Sequence, residues 1–191
     1  KRFLQDIDKI FHKSKKLQVI YQSTNKQKIN LENKKKIISF VGKLNKAKGY
    51  DIFGKAIIRI LNKFPDWKSN VYGDEPRERI IFKHPNLNIL GFKKHNIVMQ
   101  NFKNSSITVV CSRWEEPFGR TSLEAASRGC AVIISNRGGL PETVTNAIIL
   151  RKLDTKTLYK AIENLITNKN KRFTLQRKSL KNFYLSNQYI S

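Results

Sequence analysis

The sequence predicts an α/β fold, a doubly wound parallel sheet with helices on both faces. Three observations lead there. Short runs that are apolar throughout recur along the chain, "IISFV" (37–41), "ITVVC" (107–111) and "AVIIS" (131–135), the signature of strands buried on both sides. Between such runs lie stretches whose apolar residues repeat at helical spacing. Strands alternating with helices of ordinary length imply parallel βαβ units, and no internal repeat at a solenoid period competes with that reading.

The elements follow in order. Phe3, Leu4, Ile7, Ile10 and Phe11 form a helical stripe, and "LQVIY" (17–21) reads as a strand. Residues 22–36 are polar and read as a linker or boundary loop. The strand at 37–41 leads through the loop "GKLNKAKG" to a helix defined by Ile52, Phe53, Ala56, Ile57, Ile60, Leu61 and Phe64, ended by Pro65. "WKSNVYG" (67–73) is a strand that places Trp67 in the core, "PRERIIFK" (76–83) a short helical or turn segment, and "NLNILGF" (86–92) a strand ending at Gly91. "NIVMQNFKNS" is a helix, and "GRTSLEAASRG" (119–129) is a helix stopped by Gly129. "LPETV" is one helical turn and "NAIIL" a strand. Asp154 is an N-cap for a helix over 154–168, and residues 169–191 are helical and basic, with Phe173, Leu180, Phe183 and Tyr184 as docking residues.

Composition narrows the function classes. The chain has 191 residues, 38 Lys and Arg against 14 Asp and Glu, and a net charge of +24. That charge fits nucleic acid, an anionic membrane surface or phosphorylated ligands. The lysines are spread evenly, often beside Asn and Ile, which equally fits a solvated face with a biased composition. No apolar run approaches the roughly 20 residues of a membrane span, and the N-terminus lacks the apolar stretch of a signal peptide. The chain opens on Lys1 rather than Met, as a segment of a longer chain would. Two cysteines, Cys111 and Cys130, do not make a disulfide framework, and a cytoplasmic setting is expected. His12, His84 and His95 lack metal-ligand spacing, so no metal is expected.

In a doubly wound sheet, ligands bind outside the carboxyl ends of the strands. Here those ends fall at 42–48, 73–76, 91–95, 111–119 and 135–141. Gly42 permits a sharp turn, and Lys43 and Lys48 flank a helix start where they either clamp a phosphate or face solvent. Gly119 precedes a helix whose first N–H groups have no partner within the helix and attract anions; Arg120 adds charge there or faces solvent. Glu116 approaches from the loop and Glu124 from the helix. Carboxylates at such places bind sugar hydroxyls, or one decorates a helix N-terminus and the other a solvated face. Trp114 reads as a cleft wall. The paired Gly138 and Gly139 let a backbone pass close to something, or make a tight turn. No dinucleotide fingerprint, Walker motif or Ser-His-acid set is present.

Taken together, "FVGKLNKAKG", "VYGDEP", "NLNILGF", "VVCSRWEEPFGRTSLEAASRGCAVIISNRGGLPETV" and "LDTKTLYKAIENLI" closely resemble the C-terminal half of glycosyltransferase family 4, the group 1 retaining transferases of GT-B fold. The match covers roughly 37–168, and its strongest element is the pair of Glu residues with seven between them. The resemblance implies a Rossmann-like nucleotide-sugar-binding domain over 37–168. Residues 1–36 would be the tail of an acceptor-binding domain plus linker, and 169–191 a helical segment packing back toward that domain. It further implies that Glu116 contacts the donor sugar near the reacting carbon. Phe118, Gly119, Arg120 and Thr121 would lie under sugar and diphosphate, Glu124 would bind the ribose, and Lys43 and Lys48, with Gly42 turning the loop, would clamp the diphosphate. Residues 91–95, Gly91 and Phe92 among them, would lie near the base. The implied reaction moves a hexose, with retention and without a metal or other cofactor, from a UDP-, GDP- or ADP-linked donor to a glycan or lipid-linked acceptor. No nucleic acid is implied, the basic surface allows peripheral membrane association, and the segment alone would be inactive. Two departures stand out: Lys43 occupies a position usually held by Arg, losing the bidentate fork, and "VIYQST" fits the family's linker poorly. A catalytically silent donor-binding module is the main alternative, a polyanion-binding protein a weaker one.

Overall fold

The computed structural model describes residues 21–186. The helical stripe at 3–11 lies outside them, as does the strand expected at 17–21 apart from Tyr21. Six strands form one parallel sheet: β1 (Lys35–Val41), β2 (Lys68–Tyr72), β3 (Leu87–Ile89), β4 (Ser105–Val110), β5 (Ala131–Ser135) and β6 (Ile148–Leu150). Their order across the sheet is β3-β2-β1-β4-β5-β6, every neighbouring pair parallel, so the winding reverses between β1 and β4. Helices α1 (Tyr50–Lys63), α2 (His95–Asn104), α3 (Arg120–Ser127), α4 (Thr155–Thr167) and α5 (Lys169–Lys181) complete the layers.

Period two in the strands and 3.6 in the helices divide the core. In β5, Ala131 and Ile133 join one cluster with Phe53, Ile57 and Ile60 of α1 and Leu158, Ile162 and Leu165 of α4. Val132 and Ile134, pointing the other way, join Val98 and Phe102 of α2 and Leu123 and Ala126 of α3. Each fully buried Ile or Leu contributes about 1.5–3 kcal/mol relative to exposure. Trp67 is 3% exposed and belongs to the α1–α4 side. Asp154 caps α4 as its sequence context implies, its Oδ1 accepting from the Thr157 N–H at 2.7 Å. Asn168 ends α4 and caps α5 in turn, accepting from Lys171 N–H at 2.8 Å.

One segment differs from the sequence reading, and a second takes one of the two forms that reading allowed. The polar stretch 22–36 is not all linker. Leu31–Asn33 form a 3-10 turn, and β1 starts at Lys35, because Lys35 pairs with Ser105 of β4. Lys34, just before it, is held by the main-chain oxygens of Phe102 (2.7 Å) and Arg128 (2.6 Å). In 76–83, where either a short helix or a turn is expected, the chain takes the turn, at 76–77, followed by irregular chain. That chain drops Phe82 edge-on against Tyr50, ring centroids 5.6 Å apart, over Gly54 of α1, where any Cβ would collide with the ring. Of the residues expected to dock the C-terminal segment, Phe183 is buried in the α2–α3 cluster. Leu180 sits against Gly129, and the Arg177 guanidinium covers the Phe173 ring.

Candidate functional site

The crevice outside the carboxyl ends of β1 and β4 is where the winding reverses, and the loops there are tied to one another rather than merely adjacent. The Gly42 N–H donates to Tyr72 O (3.0 Å), and Asn45 Oδ1 accepts from the Lys48 N–H (2.9 Å). Main-chain N–H groups of Arg113 and Trp114 both donate to Ala47 O, at 2.8 and 3.1 Å. The Arg113 guanidinium holds Asp51 in a fork, 2.6 and 2.8 Å, and thereby keeps that carboxyl below the usual carboxylate range. The lysine loop is thus fixed on the loop after β4. Its product is a contact between the two: Lys48 Nζ lies 2.5 Å from Glu116 Oε1, the lysine side chain 32% exposed and the glutamate 12%.

Glu116 is in turn fixed from behind. The Gly139 N–H donates to Glu116 O at 2.7 Å, and Glu115 receives the Gly138 N–H and Arg137 Nη1 (2.9 Å). Gly138 has φ 50°, and a Cβ there would overlap the Glu116 main chain. The paired glycines therefore let loop 136–139 pass directly against the carboxylate-bearing loop. Gly119, with φ 100°, caps α3, and its own Cβ would stand 2.5 Å from Leu140 Cδ2. This brings the open N-terminus of α3 to the floor of the crevice, with Gly119, Arg120 and Thr121 lining it beside Gly42, Lys48 and Glu116.

Glu124 is not on a solvated face. It is 6% exposed, and its Oε1 accepts from Arg120 Nε at 2.7 Å and from His95 Nε2 at 2.8 Å. Arg120 sits one turn earlier on α3, so its charge is directed at Glu124 although most of its side chain faces solvent. A larger hollow of about 290 Å³ opens on the β2–β3 side, lined by Gly42, Lys43, Tyr72, Gly73, Phe92 and Lys93. It shares Val41 and Gly42 with the crevice over α3, so the two adjoin at the end of β1. Phe92 is 77% exposed in it, just after the turn at Gly91.

Phe118 lines neither hollow, its ring half-buried and 6.0 Å from that of Tyr21. Trp114 is 60% exposed beside the lysine loop. Both cysteines are buried and free, and burial pushes the Cys111 thiol up to about 12. Sequence reasoning missed His95 as the partner of Glu124, and Arg113 with Asp51 as the tie between loops. The one signal for His95 was its place at a strand's carboxyl end opening a helix.

These features define a parallel α/β domain with a cationic, carboxylate-bearing cleft at its switch point. The chain belongs to the glycosyl transferases group 1 family, whose model matches residues 22–182. Spore coat protein SA of Bacillus subtilis is 30% identical over 163 residues, 76% of this chain and 43% of the relative. The lipopolysaccharide core biosynthesis mannosyltransferase LpsB of Rhizobium meliloti is 29% identical over 143 residues, 69% and 40%. The chain therefore spans less than half the length of these curated relatives. Among solved structures, the C-terminal domain of the group 1 glycosyl transferase LpcC from Francisella tularensis superposes with a TM-score of 0.69. It is 24% identical, and the match covers 85% of this chain and 93% of that domain. Anabaena HepE, solved with UDP-glucose, gives 0.69 at 20% identity, covering 82% and 47%. The structural likenesses establish the Rossmann-like fold. No helix among the described residues is long and apolar enough to cross a membrane.

Proposed function

We propose that this chain is the donor-binding, C-terminal half of a retaining family 4 glycosyltransferase that moves a hexose from a nucleoside diphosphate sugar to a glycan or lipid-linked acceptor. The observation that carries the reading is the Lys48–Glu116 pair, 2.5 Å apart at the open N-terminus of α3. A phosphate binder and a hydroxyl binder here share one point of the cleft. HepE, of the same fold, was solved with UDP-glucose, and the near-complete coverage of an isolated C-terminal transferase domain supports the assignment of half.

The chemistry follows from the placement. A diphosphate entering the cleft meets Lys43 and Lys48 and the free N–H groups of the first turn of α3. Lys48 then exchanges the Glu116 carboxylate for phosphate oxygens, and Glu116 becomes available to the hydroxyls of the sugar. As the bond from the anomeric carbon to the phosphate oxygen breaks, negative charge gathers on the leaving diphosphate, where fixed cations and helix N–H groups stabilise it. On this reading lysines and main-chain N–H groups, rather than a metal, supply that positive charge. Glu124 accepts from the ribose, and the hollow at Gly91 and Phe92 takes the base. Isothermal titration of the chain with UDP, GDP and ADP tests the reading. Binding of at least one at sub-millimolar concentration is expected, and no binding by any at millimolar concentration contradicts it.

A further inference from the structure

Glu124 is anchored from two helices. Arg120 reaches it along α3, whereas His95 reaches it from the first residue of α2, 29 residues away in sequence. A carboxylate only accepts, so at 2.8 Å the imidazole must donate, which fixes the proton on His95 Nε2. Among the described residues both hydrogen bonds to this carboxylate arrive at Oε1. Two donors on one oxygen set the carboxylate's plane and leave Oε2 as the acceptor for a ligand hydroxyl. The contrast in exposure matters too: the Glu124 side chain is 7% exposed and that of His95 58%. The imidazole is therefore open to solvent, two residues along the chain from Lys93 of the adjoining hollow, and holds the carboxylate without being buried itself.

We infer that His95 is a positioning residue for nucleotide binding, aligning Glu124 so that its free oxygen meets the ribose diol. It rests on the reading of this cleft as a nucleoside diphosphate site. A residue of this kind acts only through the hydroxyls that Glu124 receives. Its loss is therefore felt by a ribonucleotide and not by the same nucleotide lacking those hydroxyls. A mere tie between α2 and α3 makes no such distinction.

The test is calorimetric, on the full chain as wild type, His95→Ala and His95→Gln. The ligands are the nucleoside diphosphate that the wild type binds best among UDP, GDP and ADP, and its 2′,3′-dideoxy analogue. His95→Ala is expected to weaken the ribonucleotide by about three- to tenfold, the range one net hydrogen bond corresponds to, and the dideoxy ligand by less than about twofold. His95→Gln, which keeps a donor on a side chain of similar reach, is expected to restore binding to within about twofold of wild type. Equal losses on both ligands, no loss on either, or a Gln variant as weak as the Ala variant would overturn the inference while leaving the nucleotide site intact. Failure of the wild type to bind any nucleoside diphosphate would remove the site itself, and the inference with it.

Discussion

Two lysines at opposite ends of the same sheet do opposite things. Lys34, at the amino end, is partly buried and points its ammonium at the main-chain oxygens of Phe102 and Arg128, with Cys130 Sγ at 3.7 Å. Burial lowers its pKa, and no carboxylate is among these partners. Lys48, at the carboxyl end, is a third exposed and sits on a carboxylate. The first donates to carbonyls at the ends of α2 and α3, that of Phe102 shared with Cys130 Sγ at 3.2 Å, so it is part of the fold. The second makes a contact that a phosphate can replace, so it is part of the site. A surplus of positive charge says little about function until one knows which cations are committed to main-chain oxygens and which are held by an exchangeable partner.

The largest expected effect falls on the committed lysine. Lys34→Met removes the ammonium from both carbonyls, leaving that of Phe102 only the Cys130 thiol, and is expected to cost about 3 kcal/mol of stability by urea denaturation, with nucleotide affinity unchanged in the folded fraction. A loss of affinity with stability intact would collapse the distinction between the two ends. Next comes Lys48→Ala, which removes a charge-assisted contact to phosphate worth about 1.5–3 kcal/mol. Calorimetry should show nucleoside diphosphate binding weakened by about ten- to hundredfold, while the unfolding midpoint barely moves. Smaller still is Glu116→Gln. It frees Lys48 from a partly exposed pair worth at most about 1 kcal/mol, so the bare diphosphate should bind as well or a few-fold better. The extra affinity contributed by the sugar, measured as the ratio of sugar-linked to free nucleotide, should fall. A marked loss for the bare nucleotide would place Glu116 on the nucleotide instead.

The smallest effect concerns the tie beneath Lys48. Arg113 holds the Asp51 carboxyl below its ordinary value, so this group adds stability at and above the ordinary carboxylate range. That stability is lost as pH falls through the lowered value. Asp51→Asn should therefore reduce the stability difference between pH 7 and pH 3, by less than about 1 kcal/mol for so exposed a partner. An unchanged difference would mean that the Arg113 fork does not hold the lysine loop.

How much of this was legible beforehand divides along the same line. β4, β5 and the α1 stripe were readable because apolar burial leaves a local period in the sequence, and the cleft loops because glycine, proline and strand ends mark them. Lys34 was hidden in a polar stretch read as linker, since its partners lie 68 and 94 residues away. The buried Asn101, which donates to Ser39 Oγ at 2.8 Å and accepts from Asn70 at 3.0 Å, was not singled out within its helix. The burial of Glu124 and its pairing with His95 were hidden for the same reason: both are set by long-range contacts that carry no periodic signal. Motif spacing located both carboxylates, but only the fold shows that one is held by a lysine and the other by an arginine and a histidine.

Backbone amide NMR of the labelled chain, titrated with UDP, GDP or ADP, tests the central claim most directly. The account predicts that the largest shifts fall on Gly42, Lys48, Gly119, Arg120 and Thr121, at the carboxyl end of the sheet. Shifts centred instead on Lys34, Lys36 and α5 at the amino end, or none at all, would contradict it.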